Sequence, residues 1–284
     1  MLIFHQWGNY NYSCDYNVKK LLSIIISVIC FCAQYSCEKP VLDNPYGDDI
    51  MPDIIIDSDS LDGSTIDSSS IRISWTPNIY AFEFSYYLFP VDTIYSGWNT
   101  DTTAHYTFLD EGEYLFFIKS RYQEGEEKES PDSLSFTIDA ISGPGLRIYP
   151  LFVEVEISAE FTVDIYAEEV NNLTGAEIIL TYEPELISLD STFEGAFLSE
   201  TQGQSITIKE HDPDVGYLVI TLATYDDNAV GLTGSGSLAG LTFKANANMT
   251  GSCDIILSEE SRIKKEADID VELSSIVSGL VEVK

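Results

Sequence analysis

The chain has 284 residues, 44% of them apolar, and a formal charge of −33 from 14 basic and 47 acidic side chains. That charge argues against a nucleic-acid partner, because a phosphate backbone would be repelled rather than neutralised. The apolar fraction suffices for one or two packed cores, and the 17 Tyr and 14 Phe favour strands over helices.

Lys19 and Lys20 precede an apolar run from Leu21 to Cys32. The run is too short to cross a bilayer, which takes roughly 20 residues. A basic patch, a short apolar core and a small or polar exit describe a secretory signal. The exit, Ala33-Gln34-Tyr35-Ser36-Cys37, resembles that of a bacterial lipoprotein, with Gln34 where leucine is usual. The resemblance implies a signal over 1–36, a lipid on Cys37, and attachment to the bacterial cell envelope at the outer membrane or cell surface. Processing there would leave Cys37 and Cys253 as the mature cysteines. The five cysteines form neither a disulfide framework nor a zinc pattern. Residues 37–52, rich in Pro, Asp and Gly without periodicity, read as a tether.

Residues 53–140 hold short aromatic and β-branched runs separated by turn residues, the pattern of an antiparallel sandwich. Ile71, Ile73 and Trp75 alternate onto one face. Trp75 in an early strand, and Leu109-Asp110-Glu111-Gly112-Glu113-Tyr114, resemble a fibronectin type III or related immunoglobulin-like domain. The resemblance implies a spacer in which Trp75 and Tyr114 are core residues and the Tyr114 hydroxyl ties back to the preceding turn. Asp57, Asp59 and Asp62 approach a calcium loop. The third acid comes one residue late, however, and Ser68 stands where the loop needs Glu, so the run reads as an acidic turn.

Gly143-Pro144-Gly145 marks a boundary, and 143–284 reads as a second sandwich or jelly roll. Strand patterns cover 160–170, 175–184, 205–210, 216–227, 238–247, 253–260 and 278–284. Gly231, Gly234, Gly236 and Gly240 lack the spacing of a phosphate loop, and a strand rather than a helix follows. A turn is expected at 234–237, then Leu241, Phe243 and Ala245 facing inward with Thr242 and Lys244 outward.

Four pieces, in order, resemble a cohesin domain: Glu160 to Ile165, Asn172 to Leu186 with Tyr182-Glu183-Pro184, Gly234 to Ala245, and Ser278 to Val283. The resemblance implies an all-β chain of two tandem sandwiches, the second a nine-stranded jelly roll. It further implies a non-catalytic protein that docks a dockerin-type module, calcium being on the partner's side, with a link to polysaccharide degradation. No cofactor or metal is expected on the chain itself. The docking face would be one flat sheet face built from strands 176–182, 204–210 and 217–225. Its candidates are Glu177, Ile179, Thr181, Thr207, Lys209, Tyr217, Val219, Thr221 and Tyr225. Cellulose-binding modules share the fold, so polysaccharide is the alternative ligand, with Tyr217 and Tyr225 as its aromatic contacts. Catalysis has little support: His105 lies in a strand of the first sandwich, and His211-Asp212 reads as a polar turn without a nucleophile motif nearby.

Overall fold

A computed structural model describes residues 51–57, 61–123, 125–199, 205–224, 231–265 and 269–284. The signal, Cys37 and nearly all of the expected tether lie outside them. The described residues are all-β, apart from one helical turn.

Seven strands come first: β1 (Ile54–Ile56), β2 (Ser64–Ile66), β3 (Ile71–Pro77), β4 (Glu83–Phe89), β5 (Thr103–Tyr106), β6 (Gly112–Arg121) and β7 (Asp132–Ile138). They form two sheets, ordered β1-β3-β5 and β2-β7-β6-β4. Ile71, Ile73 and Trp75 are buried on one face of β3, as their alternation predicts, and pack with Phe84, Leu88, Phe116 and Phe136 in a single core. Trp75 meets Phe84 edge-on at 5.7 Å between ring centroids, a preferred aromatic arrangement. The Tyr114 hydroxyl donates to the Asp110 carbonyl at 2.7 Å, the expected tie to the turn before it. Burial pushes this phenol up to about 12. The acidic turn is committed to neighbouring strands. Asp57 accepts from the Thr76 hydroxyl at 2.8 Å, and Asp62 accepts from the Ser135 N–H and hydroxyl at 3.0 and 2.9 Å. Asp59 is outside the described residues.

The remaining elements are β8 (Gly145–Tyr149), β9 (Phe152–Val155), β10 (Glu160–Thr181), β11 (Ile187–Glu194), α1 (Ala196–Ser199), β12 (Ser205–Asp212), β13 (Tyr217–Thr224), β14 (Leu232–Ala245), β15 (Gly251–Leu257), β16 (Arg262–Lys265), β17 (Ile269–Val271), β18 (Ser275–Val277) and β19 (Gly279–Val283). The two strands expected at 160–170 and 175–184 are one strand of 22 residues, β10. It bends between Ala167 and Leu173, where its register to β14 shifts and Glu169 and Asn172 take φ of 48° and 57°. Asparagine tolerates this left-handed region better than most residues. Before the bend β10 pairs with β14 and β8; after it, with β13, β16 and β15. One strand therefore serves both layers. Val163, Ile165, Leu241 and Phe243 from one layer meet Ala176, Ile178, Leu180, Leu218 and Ile220 from the other in a shared core.

The small-residue run at 234–237 is not a turn. It lies inside β14, and Gly236 pairs with Ala167. Gly236 is needed for close approach, since a Cβ there would stand 2.5 Å from Phe197 Cγ, and so is Gly240 further along β14, where one would stand 2.0 Å from Phe193 Cζ; Gly234 has open space but takes φ of 116°. Glycine within a strand marks such an approach. Leu241, Phe243 and Ala245 are buried as expected.

The segment joining the sandwiches is hydrogen-bonded along its length. Ile141 N–H donates to Glu111 at 2.6 Å, Gly143 N–H to Glu169 at 3.1 Å, and Ser274 N–H to the Pro144 carbonyl at 2.8 Å. Arg147, on β8, is 4% exposed. Its Nε donates to Glu168 at 3.0 Å and its Nη1 to Asp110 of the first sandwich at 3.3 Å. Tyr149 and Tyr166 hold its guanidinium at 5.0 and 4.5 Å from their ring centroids. Leu151 N–H also donates to Asp110, at 3.0 Å, and the Phe108 and Phe152 rings stack across the junction at 6.0 Å. Removing one partner of a buried ion pair generally costs about 3–5 kcal/mol, because the other charge is left uncompensated.

Gly236→Ala must displace the buried Phe197 ring, so urea unfolding should show a loss of about 1–3 kcal/mol. Gly97→Ala, with nothing within 4 Å of the new methyl group, should stay within roughly 0.5 kcal/mol of the parent chain. At the junction, burial raises the carboxyls of Asp110 and Glu111 above their ordinary values. As pH falls from neutral through those raised values, the native chain binds protons that the unfolded chain does not yet bind. Stability from these groups therefore rises on acidification, and is complete below the unfolded value. The urea midpoint should increase between pH 7 and pH 5, and Asp110→Asn should show a smaller increase.

Candidate functional site

The second layer of the C-terminal sandwich runs β12-β13-β10-β16-β17. Alternation along β10 buries Ala176, Ile178 and Leu180 and turns Glu177, Ile179 and Thr181 outward, each half-buried. On β13, Leu218, Ile220 and Leu222 are buried, while Tyr217, Val219 and Thr221 are half-buried on the other side. The register sets these outward residues opposite one another: Glu177 with Thr221, Ile179 with Val219, and Thr181 with Tyr217. Paired residues share a sheet face, so six of the nine expected docking residues form one continuous row pair.

Thr207 and Lys209 do not join them. On β12 they pair with Leu222 and Ile220, which are 2% and 1% exposed and belong to the core. Both are exposed on the reverse side, and Lys209 Nζ donates to Thr192 of β11 at 3.4 Å. The residues of β12 that face the docking row are instead Glu210, opposite Val219, and Asp212, opposite Tyr217. Alternation separates the two sides of a strand but does not say which side fronts the core. For β12 the expected side was the wrong one. Tyr225 lies outside the described residues.

The opposite flank carries residues that the sequence reading missed. Ile256 of β15 pairs with Thr181 and is 49% exposed, and Arg262 and Lys264 of β16 pair with Glu177 and Gly175. Ile256 sits between the buried Ile255 and Leu257, an alternation that was legible in Cys253-Asp254-Ile255-Ile256-Leu257. Lys264 Nζ stands 3.9 Å from Asp270 of β17. Beyond Arg262 the sheet borders a hollow of about 770 Å³ lined by Ile256, Ser258, Arg262, Asp270, Leu273 and Ile276.

The face thus has a mixed centre of Ile179, Val219, Thr181 and Tyr217, with acids along β12 and bases along β16. Its backbone is held firmly. Ser261, itself buried, accepts from Ile179 N–H at 3.0 Å and donates to the Ile179 carbonyl at 3.2 Å, while Ser258 N–H reaches the same carbonyl at 2.8 Å.

The groups that carry nucleophilic chemistry elsewhere are occupied here. Cys253 is buried, and burial pushes its thiol up to about 11, so it stays protonated. His211 lies in β12 rather than in a turn, and its Nε2 pairs with the Tyr182 hydroxyl at 2.8 Å.

No family model matches the sequence, and no curated protein does. Among solved structures, similarity is found to a non-cellulosomal cohesin from Archaeoglobus fulgidus, at 16% identity and a TM-score of 0.40 over 49% of this chain and 90% of that one. The sixth cohesin of Acetivibrio cellulolyticus scaffoldin B, solved in complex with a Cel5 dockerin mutant, is 15% identical with a TM-score of 0.43, over 50% of this chain and 100% of that one. The Clostridium acetobutylicum protein CaCohA2 is 18% identical with a TM-score of 0.42, over 49% and 90%.

Proposed function

We propose that this chain is a non-catalytic binding protein in which residues 143–284 act as a cohesin-like module that docks a dockerin-type protein module. Residues 53–140 serve as its fibronectin type III-like spacer, and a lipid on Cys37 holds it to the bacterial cell envelope in a setting of polysaccharide degradation. The observation that carries the docking reading is the outward row of Ile179, Val219, Thr181 and Tyr217, backed by a full core and pinned by Ser261. A preformed sheet face of this kind recognises a partner's surface rather than a small molecule, and rigid partners lose little entropy on docking. The four ordered sequence pieces that resemble cohesins support the same reading. Calcium, in this reading, belongs to the partner.

Acid and base on opposite flanks give the partner an orientation: it meets Glu210 and Asp212 on one side, and Arg262 and Lys264 on the other. Charges so placed act on encounter rate and register more than on affinity, while the apolar centre supplies most of the binding.

Binding to an array of dockerin modules from the same genome, measured by surface plasmon resonance, tests the docking. Ile179→Glu and Val219→Glu should each weaken capture roughly a hundredfold, a loss of about 2.7 kcal/mol. Thr207→Glu, on the reverse of the sheet, should leave capture unchanged. Failure of every dockerin to bind, or equal loss in the Thr207 variant, rejects the reading. For the anchor, metabolic labelling with radioactive palmitate in a bacterial host should mark the parent chain and not Cys37→Ser.

A further inference from the structure

The first sandwich, read above as a spacer, carries its own exposed aromatic surface. On the outer face of the β2-β7-β6-β4 sheet, Tyr87 pairs with Phe117 and Phe89 with Leu115. The Tyr87 and Phe117 rings stack at 5.1 Å with 13° between planes, and Tyr95 from the loop after β4 closes on Tyr87 at 4.6 Å and 71°. Phe89 is 54% exposed and Ile94 is 78% exposed. Burying large apolar side chains gains roughly 1.5–3 kcal/mol each, so leaving several in water at one place marks an interaction surface.

Two hollows flank the loop that carries Ile94 and Tyr95. One, of about 470 Å³, is lined by Tyr87, Phe89, Asp92 and Thr93. The other, of about 480 Å³, is lined by Tyr86, Ser96, His105 and Tyr106. Asp92, Ile94 and Tyr95 belong to both. Each volume lies within the roughly 300–1,000 Å³ typical of ligand sites, and each combines aromatic walls with a few polar groups, as such sites do. Asp92 Oδ2 is fixed by Leu88 N–H at 2.9 Å and the Tyr106 hydroxyl at 3.0 Å. Its Oδ1 has no partner among the described residues and remains an acceptor for a ligand hydroxyl.

The charge balance selects the occupant. Cations beside this face are matched within the chain, Lys119 by Glu127 at 3.5 Å and Arg121 by Glu83 at 2.8 Å. In a chain of net charge −33, a polyanion or a second copy is repelled. An uncharged, hydroxyl-rich polymer is not. Its sugar C–H surfaces match the aromatic walls and its hydroxyls match Asp92 and Thr93. Two adjoining hollows that share one dividing loop suit a repeating ligand better than a single small one.

We propose that the first sandwich binds a neutral polysaccharide astride the loop at Asp92 to Gly97, with successive sugar units in the two hollows and Tyr95 and Ile94 between them. This site is separate from the docking face and does not depend on it.

The test is affinity electrophoresis of the full chain through gels containing xylan, galactomannan, mixed-linkage β-glucan or, as an anionic control, polygalacturonate. Retardation is expected in at least one neutral gel and not in polygalacturonate. Ile94→Ser/Tyr95→Ala should weaken that retardation roughly tenfold or more, and the highly exposed Ile94→Ser alone should weaken it while leaving the unfolding midpoint near that of the parent. Phe89→Ser should weaken it independently, and Val219→Glu should not change it, which separates this site from the docking face. No retardation in any neutral gel overturns the proposal, and so does retardation unaffected by the loop variant. A concentration-dependent dimer in sedimentation that the loop variant abolishes also overturns it, since the face would then be covered by a second copy.

Discussion

The C-terminal sandwich depends on the bend in one strand. Glu160 to Thr181 runs first through one layer and then, past the left-handed residues Glu169 and Asn172, through the other. A strand that changes sheets needs its hydrogen bonds taken up by new neighbours at once, and shifted register at Ala167, Val170 and Leu173 accomplishes this. The same continuity places Ile179 and its row at the centre of the second layer, with β13 on one side and β15 and β16 on the other. A chain break at the bend would have left the layers free to slide. The unbroken backbone ties the two layers together at the bend.

Alternation was the part of this architecture that local sequence exposed well. Ile71-Ile73-Trp75, Ala176-Ile178-Leu180 and Leu241-Phe243-Ala245 are buried as their period demands, because core burial is the strongest local constraint on a strand. What alternation lacks is the identity of the inward side. On β12, polar and apolar positions alternate much as on β10, yet Thr207 and Lys209 stand behind the sheet. Glycine misled for a related reason. Gly234 to Ser237 has the composition of a turn, and only the distant Phe197 shows that the bareness of Gly236 is room for a ring. Arg147 left no local signal, since its partners lie 21 and 37 residues away.

The acidity of the chain acquires a structure when its few bases are followed. Arg121, Lys128 and Arg147 each meet acids of the same chain, Lys128 holding Asp53 and Asp132 together at 2.6 and 2.8 Å. The partly exposed pairs of Arg121 and Lys128 contribute little to stability, unlike the buried pair of Arg147. On the aromatic side of the first sandwich the effect is on surface character: Lys119 with Glu127 and Arg121 with Glu83 leave no unmatched cation among the described residues there. On the second sandwich the acids of β12 lie on one flank and the bases of β16 on the other, where Lys264 stands beside Asp270 and Arg262 opposite Glu177. One chain thus presents two exteriors of different chemistry.

The guanidinium at the junction has a mechanical corollary. With Arg147 gripped by acids of both sandwiches and flanked by two tyrosine rings, twisting one sandwich against the other would strip a buried cation of its counterions. The pair therefore behaves as a lever rather than as beads on a string. Anything seated at one end is carried at a set bearing to whatever is held at the other, and a first capture raises the local concentration felt by the second.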